Sequence, residues 1–289
     1  MREYILSESN EPSFNLAAEE YLLKNSTSDF FLVYVNKPSV IIGRNQNPFE
    51  EIDIKYVKDN DIPVYRRATG GGTVFHDLGN INFAFIKNGL SELSNYSFFI
   101  NQIITPLNAA GIPLVFKEKS HIFIDGKKVS GNAQTFYKNR MCHHGTLLHS
   151  SDLEKLSCSL GSSDLIKSKS IKSDPVLTTN LEEYIAFDTL VDTILPSSRS
   201  FTSEEVKSIK ALEDKYLSWK WTYGESPKYK VNVKNNGDSL EICVRNGIME
   251  SVLMNEEEVK HLLNLPFTIS SFDELEESSV LYDKIKTLI

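Results

Sequence analysis

Cysteine is scarce in this 289-residue chain: Cys142, Cys158 and Cys243 are few, scattered and odd in number. That excludes a disulfide framework, offers no paired zinc spacing, and fits a reducing compartment. Long apolar runs are missing as well. The N-terminus, MREYILSESNEPSF, has no apolar core of signal-peptide length, and no stretch approaches a membrane span. Positive charge is in deficit, with 31 Lys+Arg against 39 Asp+Glu. A nucleic-acid binder usually presents a basic surface, so that class is disfavoured. There is no internal repeat or low-complexity tract, and neither G-x-G-x-x-G nor a Walker A loop occurs. These absences leave a mildly acidic protein expected in the cytoplasm, with no membrane or nucleic-acid partner.

Hydrophobic content of 40% and charged content of 24% are ordinary globular values. FNLAAEEYLLKN (14–25) has helical periodicity behind Ser13, which is placed to cap it. FFLVYVN (30–36) and SVIIGR (39–44), parted by Lys37-Pro38, read as a strand pair. Pro48 opens a helix over NPFEEIDIKYVKDN. VYRR (64–67) and NINFAFIK (80–87) read as strands on either side of a glycine run. A helix over 95–112 must bend or break at Pro106. HIFIDGKKVSGNAQTFYK (121–138) is a hairpin turning at Asp125-Gly126, HHGTLLHS (143–150) is a strand, and a helix follows Ser151. The polar stretch 161–180 reads as a mobile functional loop. A helix then starts near SFTSEE, WTYGESPKY (221–229) reads as a linker, and strands turning at Asn-Gly precede two short closing helices. The organisation is a mixed α/β domain of about 220 residues plus a small α+β tail.

Residues 65–80, YRRATGGGTVFHDLGN, pose the sharpest question. On local pattern alone three glycines are as readily a turn between strands as a binding loop. The neighbouring Arg66 and Arg67 favour an anion, because guanidinium and backbone N–H donors can share its oxygens. His76 either meets that ligand or sits satisfied in the core. In GKKVSGNA (126–133), Lys127 and Lys128 face opposite ways on a strand, so one points inward. An inward ammonium is unfavourable unless it meets an anion or reaches water along its stem. In CHHGTLL (142–148) only one of His143 and His144 can share a site with Lys128. Metal binding there is weak, since no partner has ligand spacing, and Cys142 has no well-placed base.

Together and in this order these stretches resemble the lipoate-protein ligase A family. YRRATGGGTVFHDLGNINFAF is similar to its lipoate-binding loop, GKKVSGNAQ to its lysine strand and HHGTLLHSSDL to the segment that follows. FNLAAEEYLL and SVIIGRNQNPFEEI match the family's opening. The resemblance covers residues 1 to about 222 well and the tail loosely. It implies a catalytic domain over 1–222 on a mixed, mainly antiparallel sheet with flanking helices, and a small α+β accessory domain over 229–289. It implies ATP, Mg²⁺ and lipoate, with lipoyl-AMP as intermediate. The implied acceptors are the lipoyl domains of 2-oxoacid dehydrogenase E2 subunits and the glycine cleavage H protein, served by a monomer. Lys128 is the implied catalytic residue. Arg67, Gly70, Gly71, Gly72, His76, Lys128 and His144 are the implied lipoate contacts. Arg67, Gly72, Thr73, Val74, Phe75, Lys128, Ala133, Lys169 and Lys172 are the implied ATP contacts.

Two departures fall on the nucleotide side. Ser120-His121 stands where the family often has Asn-Asp, and Pro175 and Leu177 stand where arginines are expected in KSIKSDPVLTTN. Lysines there do not reproduce an arginine fork. These leave two rivals to an ATP-dependent ligase: a lipoyl or octanoyl transferase using a preactivated donor, and a non-catalytic lipoate-binding or carrier-docking protein. The 161–180 segment is expected to order on nucleotide binding.

Overall fold

The computed structural model describes residues 2–89, 96–117, 120–161, 163–173, 176–273, 284, 285 and 289. The strands, in chain order, begin with β1 (Arg2–Leu6), β2 (Asp29–Val35), β3 (Ser39–Ile42), β4 (Val64–Arg66), β5 (Val74–His76) and β6 (Asn80–Asn88). There follow β7 (Val115–Lys117), β8 (His121–Ile124), β9 (Lys127–Tyr137), β10 (Arg140–Leu148) and β11 (Ile166–Ser168). The tail holds β12 (Tyr229–Asn235), β13 (Asp238–Arg245), β14 (Ile248–Met254) and β15 (Glu257–Glu258). The helices are α1 (Pro12–Asn25), α2 (Ile54–Asp59), α3 (Tyr96–Ala109), α4 (Leu153–Ser159), α5 (Phe187–Ile194), α6 (Ser203–Leu217) and α7 (Ser270–Asp273). None is long and apolar enough to cross a membrane.

A seven-stranded sheet in the order β1-β2-β6-β10-β9-β8-β7 forms the centre. Its pairs are antiparallel except β1 with β2. The period-2 pleat of β2 decides what lies on each face. Phe31 and Val33 join Phe83, Phe85, Phe99 and Ile103 under α3 and α5. Phe30, Leu32 and Tyr34 join Leu16, Ala17, Ile209 and Cys142 under α1 and α6. The same alternation along β10 sends His143 to the first face and His144 to the second. α1 is buried almost all round, so Glu19 and Glu20 enter the interior with it. Burial alone would raise the Glu20 carboxyl, but hydrogen bonds from Lys215, Lys24 and Tyr216 outweigh it and hold it at about 2.

Two smaller sheets complete the chain, β4-β3-β5 and β11-β12-β13-β14-β15. They share one core. Phe49 packs edge-on against Phe267 at 5.7 Å and lies 5.9 Å from Tyr229, joining Val40, Ile42 and Phe75 to the tail. Truncating a buried phenylalanine costs roughly 3–5 kcal/mol, so Phe49 is a strong fastener of this junction.

Several local expectations are corrected. α1 begins at Pro12 behind Glu11, and the Ser13 hydroxyl donates to Glu213 instead of capping. β2 and β3 do not pair; β3 lies between β4 and β5 in a separate sheet. The expected 47–60 helix is a 3-10 turn at Pro48–Glu50 followed by α2, which Asp53 caps. α3 is not interrupted at Pro106. Asp152, not Ser151, caps α4, while Thr202 and Glu205 form a capping box on α6. The stretch read as a linker begins in a π-helical turn at Lys220–Gly224. Of the closing helices, the described residues hold a 3-10 turn at Lys260–Leu262 and α7. The 161–180 stretch contributes β11 to the tail's sheet. Ser162, Asp174 and Pro175 of that stretch lie outside the described residues.

Candidate active site

A cleft of about 260 Å³ lies where the glycine loop between β4 and β5 meets the seven-stranded sheet. Arg67, Gly71, Gly72, Thr73 and Val74 form one side; Lys128, Ala133 and His144 on β9 and β10 form another. His76 and Tyr34 line it too, and Lys172 and Ser173 border the loop.

The three glycines are not equivalent. Gly71 has φ +86°, a left-handed conformation that strains any side chain. A Cβ on Gly72 would meet the Ser173 hydroxyl at 3.0 Å, whereas Gly70 faces open space. Arg67 sets the loop's path. Its guanidinium donates to the carbonyls of Gly70 (2.6 Å), Gly72 (2.7 Å) and Ile41 (3.1 Å) and to the Thr69 hydroxyl (3.0 Å). Burial lowers its pKa to about 10, so it stays charged at neutral pH and keeps a positive field in the cleft. Gly43 is equally constrained, because a Cβ there would lie 2.1 Å from the Gly71 carbonyl oxygen. Gln46 bridges the two stretches, accepting from Gly43 N (2.8 Å) and the Thr73 hydroxyl (3.0 Å).

Arg66 corrects the reading of an arginine pair around an anion. It is wholly buried and donates to the carbonyls of Thr222 (2.7 Å), Gln46 (2.7 Å), Arg44 (2.9 Å) and Gly43 (3.0 Å). This charge on backbone carbonyls locks β4 to the π-helical turn. Arg66 holds the scaffold, and Arg67 alone reaches the cleft.

The histidines divide as the pleat dictates. His143 stacks on Phe99 at 4.7 Å and bonds Gln134 (2.9 Å), as a core residue. His76 lines the cleft. Asn36 donates to its Nδ1 (3.0 Å), leaving Nε2 to carry the proton, and burial followed by the charge of Arg67 pushes its pKa down to about 3. His144 sits in a chain of buried groups. The Thr69 hydroxyl, which accepts from Arg67, meets His144 Nε2 at 2.7 Å; His144 Nδ1 meets Glu19 at 2.8 Å, and Tyr34 donates to the second Glu19 oxygen at 2.9 Å. Glu19, Tyr34, Thr69, Gln46 and Gly43 escaped sequence reasoning. Glu19, Thr69, Gly43 and Gln46 lie inside stretches that carry the resemblance, in FNLAAEEYLL, YRRATGGG and GRNQNPF, but no local pattern singled them out.

Lys128 is fixed by backbone on both sides: its N–H donates to the Leu177 carbonyl (2.9 Å) and its carbonyl accepts from Thr179 (3.0 Å). Its stem runs over Gly131, where an added Cβ would come within 3.4 Å of Cε and 3.3 Å of Nζ. Gly131 therefore makes room for the lysine itself. Lys127 points to solvent. Lys172 borders the cleft with its ammonium 2.8 Å from Glu50, while Lys169 is exposed and does not line it. Phe75 gives its side chain to the core with Val40, and neither it nor Gly70 lines the cleft. Ser120, His121 and Ala133 do.

Among the described residues, Glu19, Cys142 and His144 form a group whose ligand atoms lie within 4.8 Å of one another. Glu19 and His144 already bond each other, and burial, then the Glu19 charge, pushes the Cys142 thiol well up, so it stays protonated. That suits a packed core better than a cation site, and it makes Cys142 a poor nucleophile. Among the described residues no carboxylate lines the cleft, so these walls do not fit a resident Mg²⁺, which wants oxygen ligands and commonly rides on substrate phosphates.

Comparison with known proteins identifies the family. The family described as lipoyl protein ligase A/B catalytic domain matches residues 11–207. The lipoate-protein ligase LplJ of Bacillus subtilis is 37% identical over 244 residues, covering 77% of this chain and 73% of that one. Lipoate-protein ligase 1 of Staphylococcus aureus is 37% identical over 236 residues, covering 76% and 72%. Among solved structures, LipL1 of P. falciparum in complex with lipoate superposes with a TM-score of 0.67 at 22% identity, covering 99% of this chain and 98% of that one. A lipoate-protein ligase A bound with ATP gives 0.66 at 23% identity, covering 77% and 98%; these two likenesses show the fold. On the family match and the two bacterial relatives, the chain belongs to the lipoate-protein ligase A family.

Proposed function

We propose that this lipoate-protein ligase runs two half-reactions in the one cleft, with Lys128 serving both. In the first, a lipoate carboxylate oxygen attacks the α-phosphorus of ATP, forming lipoyl-AMP and releasing pyrophosphate. Mg²⁺ enters with the triphosphate as part of the substrate. In the second, the amine of an acceptor lysine attacks the acyl carbonyl, an amide forms and AMP leaves. Two anions must approach each other in the first step and negative charge builds on the carbonyl oxygen in the second, so a fixed cation is needed in each. The observation that carries this is Lys128, whose main chain is bonded on both sides and whose side chain lies over Gly131 in the cleft it lines with the glycine loop. Arg67 supports it indirectly, by shaping the loop and supplying field. His144 and His76, held by buried partners, are suited to bound the acyl end.

The acceptor is a lipoyl domain of a 2-oxoacid dehydrogenase E2 subunit or the glycine cleavage H protein. A solved Thermoplasma acidophilum system pairs a bipartite lipoate-protein ligase with its E2 lipoyl domain, which supports that choice. We assign the chemistry to residues 1–222 and an accessory role to 229–289 in a monomeric cytoplasmic enzyme. The test supplies purified protein with lipoate, ATP and Mg²⁺ and follows pyrophosphate release and the mass of an apo lipoyl domain. Both signals are expected, and both should stop when ATP is withheld. An acceptor modified only when lipoyl-AMP is supplied would overturn the ATP-dependent reading and leave a transferase.

A further inference from the structure

The segment 168–173 is tied down by two consecutive glutamates. Glu50 accepts from Ser168 N (3.2 Å), the Ser168 hydroxyl, the Ser170 hydroxyl (2.7 Å) and the Lys172 ammonium (2.8 Å). Glu51 accepts from the Ser173 backbone N–H (3.1 Å) and the Ser173 hydroxyl (2.5 Å). The base of the segment is β11, paired with β12 of the tail sheet. Its tip reaches the glycine loop within five residues of Ser168. There the Ser173 hydroxyl oxygen accepts from Thr73 N–H (2.9 Å) and from Gln46 Nε2 (3.1 Å), the same Gln46 that braces Gly43 and the Thr73 side chain.

Thr73 N–H belongs to the glycine-rich turn that borders the cleft with Lys128, and such a turn is a natural seat for an anionic oxygen. One N–H donates one strong hydrogen bond. A phosphate oxygen can take the Thr73 amide only if Ser173 gives it up. We propose that Ser173 and Glu51 are positioning residues for the nucleotide half of the site: the Ser173 hydroxyl, turned by Glu51, competes with a phosphate oxygen of ATP for Thr73 N–H. This rests on the ATP-dependent reading above. Glu50 and β11 hold the base of the segment while its tip exchanges with the ligand, so nucleotide entry releases residues 171–173 from the glycine loop and leaves 166–170 in place.

The experiment titrates the protein, by calorimetry, with the Mg²⁺ complex of α,β-methylene-ATP, whose α,β bridge cannot be cleaved to transfer AMP. A neutral hydrogen bond accounts for roughly a threefold to tenfold change in affinity. Ser173→Ala is expected to bind the analogue tighter by that factor, and Glu51→Ala to move the same way. Glu51→Gln, whose amide oxygen still accepts from Ser173, should stay near the wild type. Thermal unfolding of each variant checks the fold, and if Ser173→Ala fails to fold the glutamate pair carries the test. Unchanged or weaker binding in both alanine variants would overturn the competition and leave Ser173 a structural contact. A wild type that binds no analogue would sink the ATP-dependent reading and this proposal with it, a result distinct from variants that bind like the wild type.

Discussion

The two ends of the cleft, which we assign to the acyl chain on the His144 side and to the nucleotide on the Lys172 side, are built from different materials. At the acyl end, His144, Glu19, Tyr34, Thr69 and Arg67 form an unbroken chain of buried hydrogen bonds, and His76 is held by Asn36. The polar groups there are bonded to the interior, and low dielectric strengthens each link. At the other edge the wall is a run of serines and lysines, half in water, held by Glu50 and Glu51. Bonds of that kind exchange readily with water or with a ligand. The contrast teaches that one end is shaped to define what enters, while the other can let its own contacts be replaced.

Lys128 stands between the two, so its loss should do the most damage. Lys128→Ala is expected to slow both half-reactions by roughly a hundredfold to a thousandfold, the scale of removing one transition-state donor. Lys127→Ala, on the solvent side of β9, should lose less than about tenfold. Rates of adenylate formation and of transfer from supplied lipoyl-AMP check this, and an essential Lys127 would mean the strand faces the other way.

The glycines sharpen the rigid side. Gly43→Ala must displace the Gly71 carbonyl, which a Cβ would approach to 2.1 Å, and a displacement of about 1 Å costs on the order of a hundredfold in rate. Gly70→Ala has room and should keep activity within a few-fold. Steady-state kinetics on the two variants separates these outcomes; equal losses would contradict the inequivalence of the glycines.

The buried histidines predict a pH dependence of stability. Burial holds His76 and His143 at about 3, below their ordinary value of 6.5. The unfolded chain therefore binds the extra protons. The stabilisation is complete above pH 6.5 and is lost as pH falls from 6.5 toward 3. Denaturant titrations at pH 7 and pH 5 should differ by roughly 3–4 kcal/mol for two such groups. In His143→Gln the difference should fall by about half. A flat profile would show that both rings accept protons in the folded state.

The smallest effect belongs to the loose side. Lys172 is half exposed and pairs with Glu50, and such pairs contribute about 0–1 kcal/mol. Lys172→Ala should change the rate of adenylate formation less than about fivefold, read by pyrophosphate release. A larger loss would mean that this ammonium leaves Glu50 for the substrate.

Much of this was legible in the sequence where the cause is local. The Asp125-Gly126 hairpin, the opposite facings of Lys127 and Lys128, the split between His143 and His144, and the family motifs all follow from near neighbours. What was not legible depends on partners far along the chain. Arg66 read as half of an anion site because its acceptors at Thr222 and Ser226 lie 156 and 160 residues away. Glu20 is buried for the same reason, with Lys215 and Tyr216 supplied by α6. SVII read as the partner of FFLVYV because only Lys37-Pro38 parts them, yet it turns into another sheet to bury its residues against Val64 and Phe75. The serines of 168–173 looked unanchored, since nothing nearby announces Glu50 and Glu51 as their acceptors.

The most direct test of the contrast is a single-turnover comparison of the two half-reactions on one preparation. The Leu177 side chain, where the family expects an arginine, is largely exposed, while the Leu177 carbonyl still fixes Lys128. If that arginine meets phosphate, as the resemblance implies, its absence corresponds to roughly 1.5–3 kcal/mol, about tenfold to a hundredfold in rate, and should fall on activation alone. Transfer from supplied lipoyl-AMP is therefore expected to outpace lipoyl-AMP formation from lipoate and ATP by about that factor. Activation as fast as transfer, or faster, would contradict the division between a rigid acyl end and a weakly held nucleotide edge.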